Sequence, residues 1–183
     1  MKDKLLFTDE QIPLAKEITE EILDMLTDNG DTLIVSIGGL SGTGKTEVSF
    51  RVEENLLEFG KYAYILSLDG FYYPKHESTR KACNNETVGI GEIDWSRVNN
   101  SVKNLYHVQA YHVIILEGVY ACHYEADFRI YIDQSYNDSY EFRLARGKEK
   151  PDCETRKDVL RREAIDVKST KRSADMVVKY DNH

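Results

Sequence analysis

Residues 32–46 constrain this chain more than any other stretch. Thr32 to Ile37 read TLIVSI, β-branched and mostly apolar, as expected of a strand buried on both faces of a parallel sheet. Directly after it, Gly39-Leu40-Ser41-Gly42-Thr43-Gly44-Lys45-Thr46 fills the pattern G-x-x-x-x-G-K-[ST]. From Lys45 the apolar residues Val48, Val52, Leu56 and Phe59 recur at helical spacing, up to Gly60, where a C-terminal cap belongs. Strand, glycine loop and helix in this order predict a phosphate-binding loop. Glycines let the backbone curl until successive N–H groups face one point, and the following helix adds its positive end, so anionic phosphates are held without a basic surface. Gly39, Ser41, Gly42, Thr43 and Gly44 are the candidate cradle. Lys45 is placed to reach the β and γ phosphates of a nucleotide, and the Thr46 hydroxyl to ligate Mg²⁺, which makes ATP and Mg²⁺ the expected cofactors. The alternative is a glycine-rich turn that fits by accident. With glycine at about 7% of residues, the full pattern arises by chance in fewer than roughly one chain in 100 of this length.

Local groups have to hold that anion, because the chain as a whole repels it. Its 24 Lys and Arg stand against 32 Asp and Glu, a formal charge of −8, which argues against nucleic acid as a partner. The longest uninterrupted apolar stretch, Val113 to Leu116, is far short of the roughly 20 residues of a membrane span, and no signal-peptide h-region is visible. Cys83, Cys122 and Cys153 are odd in number and lack metal-ligand spacing, so they are expected to be reduced thiols in a cytoplasmic protein.

The remaining pattern alternates. An amphipathic helix is predicted over about 9–28, carried by Ile18, Ile22, Met25 and Leu26 and stopped by Asn29-Gly30. Tyr62 to Leu68 reads as a second strand, ending in Asp69-Gly70-Phe71-Tyr72-Tyr73-Pro74, and residues 75–93 as a long aperiodic loop. A helix starts near Asp94 or Ser96. Strands follow at His112–Leu116 and Phe128–Ile132, helices at Tyr136–Arg146 and about 155–165, and a last strand at Ala174–Tyr180. Residues 1–183 therefore read as one α/β domain, a parallel sheet of about five strands flanked by helices, the P-loop NTPase fold. Whether it forms a homo-oligomer is open.

Neither the N-K-x-D nor the D-x-x-G motif of GTPases occurs. Several segments, in order, point elsewhere: GLSGTGKT, the strand-end Asp69-Gly70-Phe71-Tyr72, Ile93-Asp94-Trp95 at a helix start, the strand VIILEGVY over 113–120, Arg143-Leu144-Ala145-Arg146-Gly147, and Ala174-Asp175 before the last strand. Together they resemble the uridine kinase, phosphoribulokinase and pantothenate kinase family over most of 32–180. The resemblance implies ATP-dependent phosphoryl transfer to a hydroxyl of a small molecule, most closely a nucleoside, and it carries the family's catalytic Asp onto Asp69 and its substrate-side tyrosine onto Tyr72. The short run from Leu105 to Val113 lacks the Tyr-Asp-Phe and His insertion of uridine kinases. A non-nucleoside acceptor such as a vitamin precursor, sugar or sugar alcohol therefore stays open, as does a nucleotide-binding regulator or NTPase with no acceptor.

Chemistry gives the candidates their tasks. A carboxylate at Asp69, at the carboxyl end of a strand, suits acceptance or orientation of the acceptor's hydroxyl proton, although a turn former before Gly70 reads the same. Glu117 ends an apolar strand expected beside the phosphate-loop strand, where an acidic partner of Mg²⁺ belongs. Arg143 and Arg146 share a helix face at the start of a basic lid over about 143–157, positioned to neutralise charge in transfer or simply to lie solvated.

Overall fold

The computed structural model describes residues 5–26, 30–73, 89–145 and 154–180. Helix α1 (Gln11–Met25) precedes β1 (Leu33–Gly39), α2 (Lys45–Glu58) and β2 (Ala63–Ser67). Then come α3 (Trp95–Val108), β3 (Val113–Glu117), β4 (Phe128–Asp133), α4 (Tyr136–Ala145), α5 (Glu154–Ser169) and β5 (Met176–Lys179). The five strands form one parallel sheet in the order β2-β3-β1-β4-β5. From central β1 the chain runs out to β2, returns to β3 and then crosses to β4 on the other side. Such a switch point leaves a crevice beyond the carboxyl ends of the strands, the place where open α/β sheets bind ligands.

The expected five-stranded parallel sheet is present, with each strand close to its predicted position. The apolar alternation explains the layers. Val35 and Ile37 of β1, Val113 and Ile115 of β3, and Ile130 and Ile132 of β4 pack with Leu14, Ile18 and Ile22 of α1 and Val48, Val52 and Leu56 of α2. The opposite face buries Leu66, Leu116 and Tyr131 against Val98 and Val102 of α3 and Ala164 and Val167 of α5. Sequence and structure differ mainly at ends. Helix α1 stops at Met25, short of the predicted 28, and α5 runs on to Ser169 because Val167 continues its buried stripe. Strand β5 begins two residues late: the Asp175 carboxylate accepts the Arg129 N–H at 2.8 Å, taking the place of a ladder carbonyl. Beyond β2, Leu68–Phe71 make one 3-10 turn, which brings Asp69 back over the sheet end. The Asp94 side chain caps α3, accepting the Arg97 N–H at 3.1 Å.

No helix among the described residues is long and apolar enough to cross a membrane. Of the three cysteines, Cys122 is a buried free thiol whose pKa is pushed up to about 11, chiefly by burial; Cys83 and Cys153 lie outside the described residues.

Candidate active site

Three strand ends converge on one crevice. The end of β1 delivers the loop Gly39–Thr46, β2 the turn with Asp69, and β3 the carboxylate of Glu117, which is paired in register with Ile37 and Ser67 of its neighbours. The loop takes the form its glycines allow: Gly42 (φ 89°) and Gly44 (φ 71°) occupy the left-handed region. Each is also pressed from outside, Gly42 by the Ser139 carbonyl of α4 and Gly44 by the Tyr180 hydroxyl, so that a β-carbon at either would collide.

Lys45, at the first position of α2, is buried and turned back on its own loop. Its Nζ donates to the Leu40 carbonyl at 2.6 Å and lies 3.4 Å from the Thr43 hydroxyl. Burial lowers its pKa, and the carboxylates of Glu117, Asp69, Glu163 and Glu47, in falling order, pull it back up. A lysine so placed is already withdrawn from water. Next to it the Thr46 hydroxyl donates to Glu117 Oε2 at 3.2 Å. Burial pushes the Glu117 carboxyl up, a hydrogen bond from Ser67 and the charge of Lys45 oppose the rise, and Asp69 adds to it. A hydroxyl beside a carboxylate is a hard-oxygen donor pair that suits Mg²⁺ accompanied by phosphates and water. Among the described residues no cluster of three or more His, Cys, Asp or Glu offers a separate metal site.

Asp69 is exposed to the crevice, on the turn that follows β2, and its charge is felt at both Lys45 and Glu117. Tyr72, three residues on, is buried and bridges to Ile93 in antiparallel fashion, which fixes the turn against the start of α3. Arg143 is not the solvated arginine of the alternative expectation. Only 2% exposed, it lies over the rings of Tyr136 and Tyr140, which stack on each other, and donates from Nη1 to the Ser41 carbonyl. Arg146 and most of the predicted lid lie outside the described residues, as do residues 75–88 of the predicted loop 75–93, whose described end makes a 3-10 turn at Ile90–Glu92.

Several site residues have no motif to announce them. Glu163 of α5 is buried and acts on both Lys45 and Tyr120. Tyr120, buried beside Tyr72 and Glu92, has its hydroxyl pKa raised, first by burial and then by Glu163. All four are buried. Only the helical period of α5 carries a trace of Glu163 in the sequence, and nothing marks Tyr180.

No protein-family model and no curated protein matches the sequence. Solved structures do match the fold. D-glycerate 3-kinase from Cryptococcus neoformans superposes with a TM-score of 0.67 at 12% identity, covering 93% of this chain and 97% of that one. A candidate fructose transport system kinase from Silicibacter sp. gives 0.61 at 16% identity over 94% of this chain and all of the other. A candidate uridine kinase from Bacillus stearothermophilus gives 0.56 at 17% over 89% and 96%. By its sheet order, its glycine loop and these likenesses, the chain shares the fold of these structures, a five-stranded parallel sheet flanked by helices with a glycine-rich loop after its central strand.

Proposed function

We propose that the chain is an ATP-dependent kinase that transfers the γ-phosphoryl group to a hydroxyl of a small molecule, with a nucleoside as the first acceptor to test. The observation that carries this reading is the exposed carboxylate of Asp69, held at the end of β2 within electrostatic reach of both Lys45 and Glu117. A regulator or plain NTPase has no use for a carboxylate in that position, whereas a kinase needs one to orient the acceptor hydroxyl and take its proton.

The loop amides and the N-terminus of α2 bind the phosphates, and Lys45 leaves the Leu40 carbonyl to follow the β and γ oxygens. Thr46 and Glu117 would hold Mg²⁺, which supplies charge neutralisation on the transferring group when bound. Asp69 orients the acceptor for in-line attack. Tyr72, Tyr120, Glu92 and Glu163 bound the space where the rest of the acceptor sits. Arg146 is proposed to neutralise charge on the phosphates, while Arg143 serves the loop from its outer side.

A second reading, a non-nucleoside acceptor, is favoured by the four residues between α3 and β3, which leave no room for the nucleoside-contacting insertion of uridine kinases. D-glycerate, the substrate named for one structural relative, represents that class in a test. Nucleosides, sugar acids and polyols are incubated with Mg·ATP, and ADP release identifies the acceptor. Asp69→Asn is then expected to lower transfer by about 10² to 10⁴ with ATP affinity little changed. Full transfer in Asp69→Asn would reduce Asp69 to a turn former, and ADP release from no acceptor would favour the regulator.

A further inference from the structure

We infer that Tyr180, which belongs to none of the motifs, is a positioning residue that orients the phosphate loop and so sets the chain's affinity for triphosphates; the inference rests on the nucleotide reading above. Its hydroxyl donates to the Thr43 carbonyl oxygen at 2.8 Å, bridging 137 residues of sequence. Thr43 is almost fully buried, and it lies between Gly42 and Gly44, both at positive φ.

The consequence follows from the planarity of the peptide. In a trans peptide unit the C=O and the next N–H point in opposite directions, and the described chain has no cis bond. A donor that holds the Thr43 oxygen on the outer side of the loop therefore turns the Gly44 N–H toward the inner side, where phosphate is bound. A glycine pair alone leaves that peptide free to flip. Arg143 does the same on the other flank: by holding the Ser41 oxygen it turns the Gly42 N–H inward. The two braces come from different elements, Arg143 from α4 and Tyr180 from just beyond β5.

The surroundings of Tyr180 keep it a donor. Burial, then the carboxylates of Glu47 and Glu10, raise its pKa, so the phenol stays protonated. Gln11 of α1 lies against the same face of Gly44, and Thr8, Gln134 and Phe142 close the narrow space around the ring. The side chain thus approaches from behind the loop, out of the crevice where Asp69 and Glu117 stand.

The test compares wild type with Tyr180→Phe in the full chain, which removes one hydroxyl and keeps the ring. Dissociation constants are measured for Mg·ATP and for inorganic triphosphate with Mg²⁺, together with the melting temperature of the ligand-free protein. Loss of one hydrogen bond to a buried carbonyl is expected to weaken both ligands by the same factor, about 3- to 10-fold, and to lower the ligand-free melting temperature by a few degrees, because the Thr43 oxygen is left without its donor. Unchanged affinities would overturn the inference. So would a loss confined to ATP, which would make Tyr180 a contact of the base. If wild type binds neither ligand, the nucleotide reading fails by itself. The orienting role is then read from the Gly44 amide in the ligand-free protein, whose NMR shift moves in Tyr180→Phe if the hydroxyl orients that peptide and stays put if it does not.

Discussion

Glu117 illustrates how burying a single carboxylate can weaken a fold. Its carboxyl pKa is raised above the ordinary 4.5, with burial the largest cause. The folded protein then binds that proton more tightly than the unfolded chain, so at neutral pH the ionised carboxylate subtracts from stability. The penalty fades as pH falls through the folded pKa toward 4.5. Glutamine at this position keeps an oxygen to accept from Thr46 and drops the charge. Glu117→Gln is therefore expected to melt above wild type at pH 7, with the difference shrinking toward pH 5, while ATP binding loses its dependence on Mg²⁺. Thermal melts at the two pH values and ATP titrations with and without Mg²⁺ check both parts. A variant less stable than wild type at pH 7 would show that the carboxylate's hydrogen bonds outweigh its burial.

The elements that carry the site differ in how plainly the sequence announces them. The phosphate loop is legible because its chemistry is local: glycines at 42 and 44, a lysine and a hydroxyl at fixed offsets, all between a strand and a helix. Glu117 is legible at one remove, since an apolar strand ending in an acid suggests a central strand pointing at ligand. Arg143 is found without its surroundings: Tyr136 and Tyr140 stand on its own helix at i−7 and i−3, but only the fold brings Ser41 and Gly42 against it. Tyr180 and Glu163 are invisible because their partners at the loop, Thr43 and Lys45, lie more than a hundred residues away. Helix α3 falls between these cases. Its N-cap at Asp94 is readable, yet the attachment is tertiary: the Asp94 N–H donates to the Phe71 carbonyl at 2.8 Å and the Tyr73 N–H to the Glu92 carbonyl at 3.1 Å, tying the start of α3 to the turn that holds Asp69. Asp94→Ala deletes the cap and spares those backbone bonds. It is expected to cost about 1 kcal/mol of stability, read from urea unfolding, with Mg·ATP affinity unchanged and Asp94→Asn close to wild type. A large loss of ATP affinity would mean that the turn and the loop are coupled through α3.

Across the whole molecule, the segment 6–11 and Tyr180 meet behind the phosphate loop. Consecutive residues at the start of α2 face in different directions: Lys45 and Thr46 toward the crevice, Glu47 toward the N-terminal segment, where its Oε1 accepts the Leu6 N–H at 3.1 Å. Gln11 closes a ring with the Leu6 carbonyl and the Thr8 N–H, Arg51 donates to the Thr8 carbonyl, and Tyr180 joins from beyond β5. Residues far apart in sequence, 6–11 and 180, thus lean on one loop. Ligand bound only by the native state adds about 2.7 kcal/mol at 100-fold excess over its dissociation constant. Local openings that release the loop are suppressed along with global unfolding, whereas openings elsewhere that leave the loop intact are not. Mg·ATP is thus expected to slow amide exchange at residues 39–46, at Leu6 and Thr8, and over 176–180. At the opposite pole, where Leu26, Asp31, Leu33, Tyr106 and Asp127 line a cavity of about 410 Å³ at the amino ends of the strands, segments such as 31–33 and 106–109 should exchange as before. Hydrogen exchange followed by mass spectrometry with and without Mg·ATP reads both regions in one experiment. Protection confined to the loop would mean that the N-terminal segment and Tyr180 rest against it without sharing its free energy of binding.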